Sequence, residues 1–256
     1  MSLLKLDNVV MQFGGLTAVN QFSTELEDGE LCALIGPNGS GKTTIFNLIT
    51  GIYSPTEGKI HFNDQDITGK RPDVIVGHGI ARTFQNIRLF DGLNVLENVI
   101  IGHHLRLKSG PISATLNLPG YAAEEKQMRA EGMELLDSLH LAHLSHEVAT
   151  SLPYGQQRKL EIARALATDP HLLLLDEPAA GMNQTESHEL MDFILHILKN
   201  FDLTVFLIEH QMRVVMGICP RIIVIDHGET IAEGTPEEIQ HNPRVIEAYL
   251  GVGDYA

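Results

Sequence analysis

Nine consecutive residues, GPNGSGKTT, constrain the fold of this 256-residue chain more than any other stretch. They satisfy the phosphate-loop pattern GxxxxGK[ST] and follow the apolar run 31–35, which is typical of a buried strand. The glycines allow a tight turn whose N–H groups point at phosphate oxygens, and a helix starting near Gly41 adds the positive end of its dipole. The predicted phosphate-binding residues are Gly36, Pro37, Asn38, Gly39, Ser40, Gly41, Lys42, Thr43 and Thr44.

Two side chains of this loop have separate predicted roles. Lys42 reaches the β- and γ-phosphates as a point charge, and the Thr43 hydroxyl takes one position on Mg²⁺. The alternative, a glycine-rich turn without a ligand, does not explain why a strand precedes the loop, a helix follows it and GKT lies between them. The loop therefore predicts that the chain binds a nucleotide together with Mg²⁺.

A second stretch, HLLLLDEP at 171–178, reads as a buried parallel strand that ends in two carboxylates. Ligands of α/β folds bind at the carboxyl ends of such strands. We therefore expect Asp176 near Mg²⁺ and Glu177 as the base that polarises the water attacking the γ-phosphate. Gln85 ends another plausible strand, so its amide is a candidate to contact Mg²⁺ or the same water, although a lone glutamine is more often a surface residue.

Charge and composition exclude several classes of function. The chain has 18 Lys+Arg against 33 Asp+Glu, a net charge of −15, which argues against a non-specific nucleic-acid binder and against a polybasic membrane anchor. No stretch approaches the roughly 18 apolar residues of a spanning helix. Cys32 and Cys219 lack CxxC spacing and fit a reducing cytosol. Histidines lack ligand spacing, so we expect no metal site among them: His103, His104, His140, His143 and His146.

The order of patterns along the chain predicts its organisation. Residues 3–35 alternate apolar and polar positions, as in an antiparallel β layer. Helical patterns cover 43–50, 72–77, 94–106 and 121–139, with a loop at 108–120. We divide the chain into the first part of a nucleotide-binding core (1–88), a helical subdomain (89–164) and the second part of the core (165–256). There is no internal repeat.

Several motifs in one order point to a family. After the phosphate loop come Gln85, the run LPYGQQ at 152–157, the Asp176/Glu177 strand end, the turn 180–183 and a histidine, His210. With these motifs the chain resembles, over essentially its whole length, an ATP-binding cassette (ABC) ATPase, the nucleotide-binding subunit of a transporter. The resemblance implies an α/β, ABC-type P-loop ATPase fold with an antiparallel β layer, a parallel-sheet nucleotide core and a helical subdomain. It also implies ATP and Mg²⁺ as ligands.

The resemblance assigns further site residues. In the family two subunits close head to tail and bury each ATP between the phosphate loop of one and the signature run of the other. Tyr154, Gly155 and Gln156 would then face the partner's ATP, with the signature helix starting near Gln156. His210 would hold the γ-phosphate and, with Glu177, the attacking water. Phe13 matches the adenine-stacking aromatic of the family, although a core or turn phenylalanine is an equally good interpretation. The implied metal ligands are Thr43, Gln85 and Asp176.

This sequence departs from the family pattern at two places. Pro153 and Tyr154 stand where the usual signature LSGGQ has serine and glycine, and Pro153 brings neither a hydroxyl nor a backbone N–H. Asn183 occupies the usual aspartate position of the turn after the catalytic strand. We hypothesise that the ATP site using this signature binds or turns over ATP less well, and that the chain pairs with a different ATPase subunit.

Short stretches of the sequence suggest the subfamily. Stretches such as RTFQNIRLF (82–90) and LLDEPAAGMN (174–183) resemble the ATPase of bacterial branched-chain amino-acid importers. The implied partners are a second ABC ATPase subunit, two integral membrane permease subunits and, indirectly, a periplasmic or extracellular solute-binding protein, with the chain peripheral at the cytoplasmic face of the inner membrane. Nucleic acid is not an expected partner. The alternatives are urea or amide import, lipid or lipopolysaccharide export, a soluble ABC ATPase in translation or DNA repair, and an ATP sensor without turnover.

Overall fold

The structure is a computed structural model that describes residues 2–103 and 119–250. The chain folds into two compact units, one made of residues up to 85 and from 171 onward, the other of residues 86–170. The predicted borders after residues 88 and 164 lie near these limits, and the three-part division stays a prediction. In the described part of the chain, no helix has both the length and the apolar character needed to cross a bilayer.

Ten strands and nine α-helices occur in the described residues. The strands are β1 Ser2–Phe13, β2 Leu16–Glu27, β3 Leu31–Ile35, β4 Glu57–Phe62, β5 Gln65–Asp66, β6 Ile80–Arg82, β7 Leu172–Asp176, β8 Thr204–Ile208, β9 Arg221–Asp226 and β10 Glu229–Gly234. The helices are α1 Lys42–Ile49, α2 Pro72–Gly77, α3 Val95–His103, α4 Pro119–Ser138, α5 Tyr154–Leu166, α6 Gln184–Asn200, α7 Met212–Ile218, α8 Pro236–Gln240 and α9 Pro243–Leu250.

The first unit contains two sheets. The first is antiparallel, with strand order β2-β1-β4-β5, and confirms the predicted antiparallel layer. The second has the order β10-β9-β3-β8-β7-β6 and is parallel except for the β9–β10 pair. A single buried cluster joins side chains of both sheets and of α1, including Phe22, Phe46 and Phe206.

The parallel sheet places the functional segments at one edge. Strands β3, β7 and β8 have five residues each, and every one of these residues is buried, as expected for central strands covered on both faces. The strands run parallel, so the loops that follow them leave from the same edge of the sheet. These loops are the phosphate loop after β3, the Glu177 turn after β7 and the His210 turn after β8.

In its described residues the second unit is helical, with α3, α4, α5 and two short 3₁₀ turns. Helices α3 and α5 pack closely at Gly102, where an added Cβ would lie 2.6 Å from the Arg164 carbonyl oxygen. Inside α5, Arg158 and Glu161 form a buried ion pair with an N–O distance of 2.7 Å. Of the predicted loop at 108–120, residues 119 and 120 begin α4 and the rest lies outside the described residues, as does the predicted end of the preceding helix.

Two predicted element ends were wrong. Strand β6 ends at Arg82, so Gln85 does not end a strand but lies in the bend that follows; there its side chain bonds Glu177. Helix α5 begins at Tyr154 rather than near Gln156, because Pro153 already takes the N-cap position with φ −53° and ψ 149°. A fixed φ near −65° suits proline at a helix start.

Candidate active site

The phosphate loop depends on glycine for steric reasons. Gly36, Gly39 and Gly41 have φ of 154°, 81° and 107°. A Cβ on Gly36 would lie 2.0 Å from the Ile225 carbonyl oxygen, and one on Gly41 would lie 2.6 Å from that of Ala18. The backbone therefore passes too close to its neighbours for a side chain at either position.

Lys42 is buried at the start of α1. Its Nζ donates to the carbonyl oxygens of Gly36 and Pro37, both at 2.8 Å. Burial lowers the pKa of Lys42, whereas the carboxylates of Glu177 and Asp176 act to raise it. The ammonium group is thus surrounded by the loop that is predicted to bind phosphate. No acidic residue lies in the first turn of α1, so the positive end of the helix is not neutralised there.

Asp176 ends β7 in a buried ion pair. Its Oδ2 accepts from Arg82 Nη2 at 2.6 Å, and both side chains are less than a tenth exposed. Arg82 also donates to Asn47 Oδ1 at 2.7 Å, and its guanidinium lies over the rings of Phe46 and Phe84. Sequence reasoning missed Arg82. The available signal was an arginine three residues before Gln85, on a strand short enough to bring both to the site.

Two side chains lie close to the same carboxylate oxygen of Glu177. Gln85 Nε2 donates to Glu177 Oε2 at 2.7 Å, and His210 Nδ1 lies 3.4 Å from the same atom. The side chain of Glu177 is about a fifth exposed and that of His210 is half exposed. Glu177 has φ 47°, a left-handed conformation that costs non-glycine residues on the order of 1–3 kcal/mol and is enriched at functional sites. The structure brings all three predicted catalytic residues together; their catalytic roles stay predictions.

The predicted metal ligands offer the chemistry that Mg²⁺ prefers. Asp176 supplies a carboxylate, Thr43 an exposed hydroxyl and Gln85 an amide oxygen, all hard donors. Two of these groups already bond neighbouring side chains: Asp176 accepts from Arg82, and the Gln85 amide NH₂ group donates to Glu177. Across residues 2–103 and 119–250, no group of three or more His, Cys, Asp or Glu is arranged to hold a metal ion.

Phe13 lies at the end of β1 and is 41% exposed, so it is not a core residue. Its ring meets Tyr53 edge to face, with 5.2 Å between centroids and 76° between planes. An exposed ring fixed in this way is available for stacking. Its predicted contact with adenine stays a prediction.

The signature run occupies the first turn of α5. The Pro153 carbonyl oxygen accepts from the N–H groups of Gln156 and Gln157 at 2.9 and 3.0 Å, and no side chain caps the helix. Tyr154 is exposed, and its hydroxyl lies 3.4 Å from Arg158 Nη2. Gly155 and Gln156 thus lie where a helix N-terminus attracts anions, and their contact with a partner's ATP stays a prediction.

Asn183 has a clear local role. It caps α6, accepting from the N–H groups of Thr185 and Glu186 at 2.9 and 3.0 Å, while Glu186 Oε2 accepts the Asn183 N–H. Asparagine and aspartate are about equally good N-caps, so the family's aspartate is replaced here without loss of the cap. What is lost is a negative charge at this turn.

Comparison with known proteins identifies the family. Residues 19–180 match the family model described as ABC transporter. This chain belongs to the ABC transporter family. A second model, described as Branched-chain amino acid ATP-binding cassette transporter, matches residues 229–255 of the cassette. The cassette is 44% identical over 249 residues to the high-affinity branched-chain amino acid transport ATP-binding protein LivG of Salmonella typhimurium, covering 97% of this chain and 98% of LivG.

Solved structures agree with this membership. The ADP conformation of MJ1267, an ATP-binding cassette of an ABC transporter, matches with a TM-score of 0.86 and 33% identity, covering 98% of this chain and 99% of that one. A dimeric, post-hydrolysis cassette, MJ0796 bound to ADP and Pi, matches with a TM-score of 0.73 and 26% identity, covering 91% and 98%. The cassette therefore has the ABC P-loop fold and is an ATPase of a transport system.

Proposed function

We propose that this cassette binds and hydrolyses ATP to energise the uptake of branched-chain amino acids through partner membrane permeases. The observation that carries the proposal is the near full-length similarity to LivG, whose name states that transport. The C-terminal match at 229–255 adds independent support, because it lies outside the general cassette match. The described site residues concern the binding and hydrolysis of ATP, so the transported solute is assigned by similarity to LivG.

In the proposed mechanism, the loop N–H groups and Lys42 bind the phosphates. Glu177 accepts a proton from the attacking water. His210 and Gln85, which both lie at Glu177 Oε2, orient that water. Asp176, Thr43 and Gln85 would hold Mg²⁺, which when bound neutralises charge on the β- and γ-phosphates. Phe13 would stack on adenine. ATP closes a two-cassette sandwich, and hydrolysis reopens it.

The proposed partners follow from the importer assignment. They are a second ABC ATPase, which would contact Tyr154, Gly155 and Gln156, two integral membrane permeases and, indirectly, a solute-binding protein. The cassette would then be peripheral at the cytoplasmic face of the inner membrane. The dimeric relative with ADP and Pi supports pairing of cassettes.

Affinity purification tests the transport assignment. The tagged full chain, isolated from native membranes in mild detergent, is expected to bring two polytopic permeases and a second, distinct ATPase. ATPase activity of that assembly in liposomes should rise with leucine and its binding protein, but not with urea. Stimulation by urea alone would contradict the proposed solute, and recovery without permeases would contradict the transport role.

The signature departure gives a separate prediction. Pro153→Ser supplies a hydroxyl where the family contacts the partner's γ-phosphate, and it also provides a better N-cap for α5. A hydrogen bond to a charged group contributes about 1.5–3 kcal/mol, so ATP turnover of the assembled complex should rise by roughly 10- to 100-fold at this site. Pro153→Ala, which lacks the hydroxyl, is the matched control. Equal turnover of both variants would contradict the idea.

A further inference from the structure

Glu209 is a fully buried carboxylate beside the candidate active site. It directly follows β8 and is 0% exposed. Its Oε1 accepts the Ala179 N–H at 2.7 Å, and its Oε2 accepts those of His210 and Gln211 at 2.9 and 3.0 Å. All three donors are backbone N–H groups. Burial raises the pKa of Glu209, and these hydrogen bonds act against that rise.

Gln211 also forms a hydrogen bond to Ala179, at its carbonyl group. Its Nε2 donates to the Ala179 carbonyl oxygen at 2.7 Å, so both polar backbone atoms of Ala179 are held by side chains from the β8 turn. A backbone bond from the Glu177 N–H to the Ile208 carbonyl oxygen, 2.8 Å long, adds a third link. Together these bonds join the turn after β7 to the turn after β8.

The two joined turns carry the residues that meet at the site. Glu177 starts the first turn and His210 lies between the two clamping side chains of the second. Glu209 thus holds together the backbone segments that carry His210 and Glu177, whose Nδ1 and Oε2 atoms lie 3.4 Å apart. The first turn continues directly into residues 180–183, which end at the N-cap of α6.

We propose that Glu209, assisted by Gln211, is a positioning residue for ATP hydrolysis. It fixes His210 against Glu177 by holding the turn after β7 to the turn after β8. The inference rests on the proposed roles of Glu177 and His210 in ATP hydrolysis. Glu209 itself is shielded from any nucleotide by its burial and acts only through its neighbours.

The chemistry explains why the residue is an acid. An ionised carboxylate has acceptor sites for all three N–H groups, whereas a glutamine at the same place must turn its NH₂ group toward at least one backbone donor. Glu209→Gln therefore preserves shape and removes part of the clamp. Glu30→Gln is a matched control, because Glu30 is also a largely buried acid that accepts a backbone N–H, that of Glu27.

Steady-state hydrolysis by the assembled, tagged complex is the first measurement. We expect Glu209→Gln to lower kcat by 10- to 100-fold and to change KM for ATP less than twofold, while Glu30→Gln changes neither. In a His210→Ala background, Glu209→Gln should lower kcat less than twofold further, because its effect passes through His210. Independent, multiplicative losses, or a loss confined to KM, would overturn the proposal.

A milder variant and a direct structural measurement keep the proposal testable if Glu209→Gln misfolds. Gln211→Leu removes one clamp bond at a half-buried side chain, and should lower kcat three- to tenfold and speed amide hydrogen exchange at Ala179 and His210. If Glu209→Gln fails to fold, unchanged kcat and exchange in Gln211→Leu would overturn the proposal. A wild-type assembly without ATP hydrolysis would overturn the proposed function instead, and amide exchange would then decide about the clamp.

Discussion

Glu177→Gln is expected to leave ATP binding nearly unchanged and to lower ATP hydrolysis by a factor on the order of 10²–10⁴. The substitution keeps the shape of the side chain and keeps an oxygen that can accept the Gln85 amide, which now lies 2.7 Å from Glu177 Oε2. It removes the group that takes the proton from water. Binding depends on the phosphate loop and on Lys42, whose hydrogen bonds to the Gly36 and Pro37 carbonyl oxygens the substitution does not touch.

Two measurements separate these effects in the same preparation. Fluorescent nucleotide titration gives the Kd for ATP, and phosphate release by the assembled complex gives kcat. Glu237→Gln changes an exposed acid in the first turn of α8 and serves as a charge-matched control. Hydrolysis within tenfold of wild type in Glu177→Gln would exclude Glu177 as the base.

Much of the phosphate loop was predictable because its constraints are local. Gly36 and Gly41 adopt backbone conformations and close approaches that only glycine tolerates, so the spacing of the motif already defines the turn. The same applies to β7, because four consecutive leucines before Asp176 indicate a strand covered on both faces. Local steric rules and burial patterns thus predicted the elements that position the site.

Other features depend on pairing between distant segments. Arg82 meets Asp176 across 94 residues of sequence, only because β6 pairs with β7 in a register that sets Arg82 opposite Leu174. Glu209 meets Ala179 across 30 residues for a similar reason, since β7 and β8 are neighbours in the sheet. Neither contact changes the pattern of apolar and polar residues in the two segments that it joins, so sequence reasoning did not find them.

Helix ends show a third kind of limit. The start of α5 was predicted two residues late, because the motif suggested a helix beginning after Gly155, while the conformation of Pro153 starts it at Tyr154. The role of Asn183 was likewise understood only as a lost charge. Its capping of α6 becomes visible once the backbone N–H groups of the first turn are placed.

Arg82→Met is expected to lower the free energy of unfolding by about 3–5 kcal/mol, because it leaves the buried Asp176 carboxylate without its cation. The guanidinium also bonds Asn47 and lies over two aromatic rings, so methionine replaces its volume but none of its polar contacts. Urea unfolding of the isolated chain without nucleotide measures the loss. Arg71→Met breaks an exposed ion pair with Asp73 and should cost only about 0–1 kcal/mol.

A second substitution tests whether the uncompensated charge is the cause. Asp176→Asn in the Arg82→Met background removes the charge that Arg82 neutralises, so it should restore most of the lost stability, whereas Asp176→Asn alone should not stabilise the wild type. If Asp176 binds Mg²⁺ as proposed, Mg²⁺–ATP should stabilise Arg82→Met more than it stabilises the wild type, because the metal supplies the missing positive charge. Equal stabilisation of both proteins would place the metal away from Asp176.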